Sequence, residues 1–435
     1  MHKRYKILIL VFLCSIMAFT SKAQYDISSP YSQYGIGSTN LLGNQYNSSM
    51  GGISQAIRRN NVINLLNPAS YTAIDTQSFV FDIGFSMMWK NVSTTDYSSK
   101  SFLASITNIS MAFPLCKSLK VALALTPLSD ISYSASDTIL AHGSFGDDDY
   151  IPTRVQSFDG NGGLDKLTFG LAYQPTFNRF LSRFSIGVNA SYIFGNIYRS
   201  SLLSFGGAEG YVNSRVEKNY NVSAFSFDVG MQYFQPLKNG DILCVGATVG
   251  LPNKYSADEE YFRYTYINED AAATLQDTIK YLSNDRKITM PYSLSAGLSY
   301  SRTNKFLVGV DAVYTKWSDF DFENNNIAEL KDNLKLSMGG EFIPNLYGTY
   351  FEQFSYRAGI NYDNGYIYLK DKRISKLGLS VGLSLPVKKL GTNINLSFEY
   401  GKLGTTDNGL IKESYYSLGL SITAKDRWFV KRKYR

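Results

Sequence analysis

Leu377–Leu385 reads LGLSVGLSL, five aliphatic side chains alternating with glycine and serine. A period of two puts the aliphatic set on one face of an extended strand and the small residues on the other. The same reading applies to Phe79, Phe81, Ile83, Phe85 and Met87, interleaved with Val80, Asp82, Gly84, Ser86 and Met88. It recurs in Phe354, Tyr356, Ala358, Ile360 and Tyr362, and again in Ile394, Leu396, Phe398 and Tyr400. Each run buries or coats one face with apolar groups and leaves the other polar.

Runs of this kind predict about fourteen strands, near 77–90, 101–114, 119–134, 164–176, 183–199, 220–236, 241–254, 287–302, 305–316, 331–343, 352–364, 374–387, 391–403 and 412–424. Most pass ten residues, about twice the usual strand of a soluble sheet and enough to cross a bilayer at a tilt. The connections alternate. Long ones (91–100, 135–163, 200–219, 255–286, 317–330, 365–373, 404–411) take turns with tight ones (115–118, 177–182, 237–240, 303–304, 344–351, 388–390). An even strand count with long loops at one end and short turns at the other is the pattern of a transmembrane antiparallel β-barrel. A soluble sandwich would alternate too, but explains neither strand length nor loop rhythm. Tyr173, Tyr192, Tyr233, Tyr300, Tyr314 and Tyr400 fall near expected strand ends, where aromatic girdles meet headgroups.

The start of the chain is a different object. Lys3, Arg4 and Lys6 precede an apolar run, Ile7–Phe19, and Ser21-Lys22-Ala23 places small residues before a cut at Gln24. This reads as a cleaved signal peptide at 1–23, its apolar run too short for a spanning helix. Composition agrees with export into a membrane: 33 Tyr, 27 Phe and 35 Gly accompany only 18% charged residues, where about 25% is usual. The net charge of +7 sits in the leader and in a basic tail at 425–435, so no basic groove for nucleic acid remains. Cys116 and Cys244 survive maturation and are expected four or more strands apart, out of disulfide reach.

Between leader and barrel, 24–76 is polar and rich in Gly and Asn, with short apolar patches at Ile53, Ala56 and Ile57 and at Val62, Ile63, Leu65 and Leu66. Such patches favour a packed hatch over a disordered lead. The domain reading is therefore 1–23 signal peptide, 24–76 hatch, 77–424 barrel and 425–435 tail.

The hatch segment contains SPYSQYGIG (Ser29–Gly37), MGGI (Met50–Ile53) and INLLNPASYTAID (Ile63–Asp75). In these residues it resembles the outer-membrane long-chain fatty-acid transporter family (FadL type), whose hatch carries Asn-Pro-Ala, here Asn67-Pro68-Ala69. The resemblance implies a plugged barrel of about fourteen strands that takes up hydrophobic small molecules without energy input. It implies lateral exit where the third strand kinks, and Pro127 interrupts the expected third strand. A proline there fits a kink and equally the plain end of a strand. One branch of the family serves as a carrier in protein secretion, so an outer-membrane carrier or scaffold is the alternative, with a general diffusion porin behind it. Ile53, Ile57, Leu65, Leu66 and the Asn67–Ala69 motif are the ligand and hatch candidates, and Pro127 the lateral-gate candidate.

Asp82, Asp228, Asp311, Lys335, Glu341, Arg357 and Glu399 fall on the polar phase of their strands. Charges facing a lumen must be paired, so they are expected to hold a hatch in place. Beyond the leader the only histidine is His142, beside Asp147, Asp148 and Asp149, a pattern expected of a solvated loop. No catalytic residue, metal site or cofactor motif is expected, and the chain is not read as an enzyme. The expected partners are outer-membrane lipid and lipopolysaccharide, a hydrophobic ligand and the barrel-assembly machinery, with the protein a monomer.

Overall fold

A computed structural model describes residues 29–39, 43–143, 150–206, 208, 210–267, 275–322, 329–387 and 391–427. The expected signal peptide, Asp147–Asp149 and the tail beyond Arg427 lie outside the described residues.

Fourteen antiparallel strands close into one barrel. In chain order they are β1 (Ser78–Ser93), β2 (Ser98–Pro114), β3 (Leu119–Ile139), β4 (Arg154–Tyr173), β5 (Phe184–Ser204) and β6 (Asn213–Pro236). Next come β7, in two pieces (Asp241–Gly250 and Asn253–Tyr266), and β8, also in two (Leu275–Met290 and Ser293–Arg302). The circuit ends with β9 (Phe306–Thr315), β10 (Asn333–Phe342), β11 (Ser355–Asp363), β12 (Lys376–Val387), β13 (Thr392–Gly404) and β14 (Lys412–Arg427). Val80 of β1 faces Ala112 of β2 on one side and Lys425 of β14 on the other, so the ladder returns to its start. Closure of this kind is what lets strands cross lipid, because it leaves no backbone edge unpaired there. The breaks in β7 and β8 face each other at Pro252 and Pro291, which have no N–H to give the ladder.

The two phases of each strand have opposite fates. Leu167, Phe169, Leu171, Met338, Leu379 and Val381 point outward and are exposed, whereas Asn189, Ser191, Ser337, Ser380, Ser397 and Ser421 point inward and are buried. A polar interior is tolerable only if its hydrogen bonds are answered, and the residues preceding β1 occupy the lumen and answer them.

Several expected loops are ladder. β3 runs on to Ile139, β4 starts at Arg154, β6 starts at Asn213, and Asn213–Ser223 pairs with Ser256–Tyr266. Above the bilayer both faces of a strand meet water, so the sequence loses its alternation while backbone pairing to the neighbouring strand continues. The wall is tallest here: β6 has 24 residues, against 10 in β9 and 9 in β11. The barrel also ends later than 424, since Lys425–Arg427 pair with Ser78–Val80. The loop expected at 365–373 contains Ile367–Leu369 and Lys372–Arg373, which form a small sheet with Glu329–Leu330. Cys116 is exposed, Cys244 is buried, and both are free.

Candidate functional site

The hatch is a chain of short, capped turns laid against the inner wall. Asn44 caps the single helical turn Gln45–Ser48 by accepting from the Asn47 N–H at 3.1 Å. Asn67 caps the 3-10 turn Pro68–Ala73 in the same way, its Oδ1 accepting from Ala69 N at 3.1 Å. Pro68 occupies the first helical position, where a missing N–H costs nothing. Asn67 Nδ2 donates to the Gln55 carbonyl at 2.8 Å and to the Met231 carbonyl of β6 at 3.4 Å. Asn-Pro-Ala thus folds its own turn and fastens it to the wall.

Glycines in the wall make room for this. A Cβ at Gly187 would lie 2.5 Å from the Pro68 carbonyl carbon, and one at Gly170 2.5 Å from the Tyr71 ring. Gly246 meets the Gln55 carbonyl, Gly359 the Met50 backbone and Gly382 the Ser49 side chain in the same manner. Hatch backbone therefore packs directly on strand backbone around the circuit, at close-packed density.

Polar locks complete the fit. Asp311 of β9 accepts from Ser54 N at 2.5 Å and Gln55 N at 2.9 Å. Glu341 of β10 takes Arg59 of the hatch at 2.5 Å and Arg357 of β11 at 2.9 Å, and Arg357 also stacks over the Tyr46 ring at 4.1 Å. Gln45 Oε1 accepts from Ser397 at 2.6 Å, and Tyr71 donates to Asn189 Oδ1 at 2.9 Å. The remaining lumen charges bind wall to wall. Asp82 is held by Asn108 at 2.6 Å and by Thr423, and Lys166 reaches Asp228 at 3.1 Å. Tyr415 donates to Glu399 at 2.6 Å, and Lys335 lies buried opposite Asp363.

The apolar hatch candidates do not line one pocket. Ile53 and Ile57 pack with Tyr46, Met50, Val62 and Leu307, while Leu65 packs on a separate cluster of Ile63, Tyr71, Val80 and Ala122. Leu66 is half-buried, its carbonyl accepting from Thr248 at 3.3 Å. His142 is exposed in the outer loop, bridged through its backbone to Ile151. The sequence reading missed Gln45, Ser54, Arg58 and Arg59, hatch residues whose side chains or backbone bond to the barrel wall.

A family model described as BamG matches residues 1–435. The chain belongs to the BamG family. No curated protein matches the sequence. Among solved structures, the CymD monoaromatic hydrocarbon channel is similar at 15% identity and a TM-score of 0.57, covering 90% of this chain and 99% of that one. The Pseudomonas putida toluene transporter TodX gives 15% identity and 0.56, covering 90% and 100%. A Pseudomonas aeruginosa FadL homologue gives 13% and 0.58, covering 91% and 99%. The BamG-family chain therefore shares the FadL-type fold of a plugged fourteen-strand barrel.

One seam in this BamG-family wall is incomplete. β3 pairs with β4 along its whole length, but with β2 only where Ile109–Pro114 meets Lys120–Leu125. Both seam strands bend just where they part. β2 bulges at Thr107, between the partners of Gly84 and Phe85, and β3 bulges at Leu128, immediately after Pro127. A bulge adds twist and turns a strand away from its neighbour, and proline has no N–H to hold it. The hatch covers the opening. Ser38 and Thr39 pair with Asp130 and Ser129 of β3, Ser29 N donates to the Ser132 carbonyl at 3.0 Å, and Gln45 Nε2 donates to the Phe85 carbonyl at 3.0 Å. Behind this cover an apolar cluster joins Ile36, Ile131, Leu164 and Leu128 to Trp317 and Phe322 of the outer segment after β9. Trp317 in turn stacks on Tyr366 at 4.2 Å.

Proposed function

We propose that the barrel passes hydrophobic small molecules, long-chain fatty acids among them, from its outer loops through the β2–β3 seam without energy input. The observation that carries this reading is the β2–β3 ladder that stops at Leu125, just before Pro127–Leu128, with the two-residue hatch strand Ser38–Thr39 paired across the gap. The apolar cluster from Trp317 to Leu128 supplies a surface along which an apolar molecule can replace side-chain contacts one for one. A hydrocarbon channel and a toluene transporter among the similar folds support the same reading. Pro127 acts here as the gate residue, with the Asn67–Ala69 turn holding the hatch that covers it. An open diffusion porin is set aside, because hatch and wall pack backbone to backbone around the lumen.

A second reading has its own support. The family carries the BamG name, in the nomenclature of the barrel-assembly machinery, and the hatch is fastened by Asp311, Glu341 and Asn189 as a permanent part would be. On that reading the protein is a carrier or scaffold in an outer-membrane protein machine. Uptake of radiolabelled oleate by cells with and without the gene separates the two. Reduced uptake with normal outer-membrane protein levels supports passage, whereas normal uptake with depleted outer-membrane proteins supports the carrier. Under both readings the leader is cleaved before Gln24 and the protein is a monomer facing lipopolysaccharide, which N-terminal sequencing and light scattering check.

A further inference from the structure

At the end of the barrel that carries the tight turns, a cavity of about 440 Å³ lies between hatch and wall. Its charged lining is Arg58, Arg59, Arg357 and Glu341, three cations to one carboxylate. Glu341 is committed to both Arg59 and Arg357. The hydrogen bonds of Arg58 run to neutral acceptors: Thr72 Oγ1 at 3.0 Å, Ser185 Oγ at 2.9 Å, Gln232 Oε1 at 3.0 Å and Gln174 Oε1 at 3.3 Å. Its guanidinium also lies over the Phe234 ring at 4.2 Å. Burial pushes this group down to about 10, which leaves it charged at neutral pH. A charge withdrawn from water without an opposite one is strongly penalised, and an incoming anion relieves that penalty.

We propose that this cavity binds an organic anion, its oxyanion head directed at Arg58 and its apolar body along Phe234, Ile242 and Leu307. Carboxylate and phosphate-monoester heads share the chemistry, since a planar guanidinium fork recognises both. A neutral hydrocarbon lacks the head and gains nothing from the excess positive charge. The site is distinct from the seam, which is built by β2, β3 and residues 29–39, and it stands whether the barrel passes hydrophobes or serves as a carrier.

The test is calorimetric titration of the full-length mature protein in amphipol with decanoate, decyl phosphate and decanol. Both anions are expected to bind saturably, at least tenfold tighter than decanol. Arg58→Gln is expected to weaken both anions at least tenfold. Leu346→Glu, which puts a carboxylate on the cavity rim away from the hatch contacts, is expected to do the same and guards against misfolding of the first variant. The proposal is overturned if decanol binds as tightly as decanoate, if inorganic phosphate competes as well as decyl phosphate, or if Leu346→Glu binds the anions like wild type.

Discussion

Thr39 of the hatch and Ser129 of β3 stand opposite each other across an antiparallel ladder. That pair is one of the contacts by which the hatch covers the seam. Residues so placed have Cα atoms about 4.5–5.5 Å apart, within reach of a disulfide. Thr39→Cys with Ser129→Cys, in a background with Cys116 and Cys244 changed to Ser, should therefore oxidise and lock the hatch to β3. Oleate uptake should fall on oxidation and return on reduction. Uptake indifferent to the lock would mean that the seam is not the route.

Asp311 accepts two backbone N–H groups of the hatch and has no bulk water to replace them. Asp311→Asn keeps the shape but weakens the single oxygen, Oδ2, that accepts both N–H groups, at a cost of roughly 1–3 kcal/mol. The urea midpoint for loss of hatch protection against protease should drop, while the heat-modifiable barrel band persists. A simultaneous loss of barrel and hatch would show that the two unfold as one unit.

Gly246 touches the Gln55 carbonyl so closely that a side chain has no place. Gly246→Val is expected to push the hatch off the wall there, costing about 1–3 kcal/mol in overpacking. Single-channel recordings should show larger and noisier conductance than wild type. Deleting 25–66 should raise it further, and an unchanged conductance in both would argue that the hatch does not block the lumen.

The barrel was legible because lipid favours a period of two on spanning segments such as Leu377–Leu385 and Phe79–Met87, and because strand length and loop rhythm separate them from a soluble sandwich. It stopped being legible above the membrane, where Glu217, Asn219, Glu259 and Glu260 hold ladder positions with no apolar phase to mark them. In the hatch, Asn67-Pro68-Ala69 and the apolar patches stood out, yet Gln45, Ser54 and Arg58 did not. A polar residue in an irregular segment acquires meaning only from its partner, and the partner of Ser54 is 257 positions away. The two-residue strand Ser38–Thr39 has no sequence signature at all, because its pairing is decided by the edge that β3 offers.

Pro127 was visible as an interruption; β3 has parted from β2 after Leu125, and its bulge follows one residue beyond the proline, at Leu128. Replacing it restores a backbone N–H and removes the fixed φ, so the bulge at Leu128 loses its main cause. Pro127→Val should let β3 continue its ladder along β2 past Leu125, narrowing the seam. Backbone amides of Thr126–Ser129 should become more protected in hydrogen exchange, and oleate uptake should fall severalfold with protein level and heat-modifiability normal. Increased protection with full uptake would separate the kink from transport. Unchanged protection would show that Thr107 of β2, fastened by Gln45 at 3.4 Å, keeps the strands apart without help from the proline.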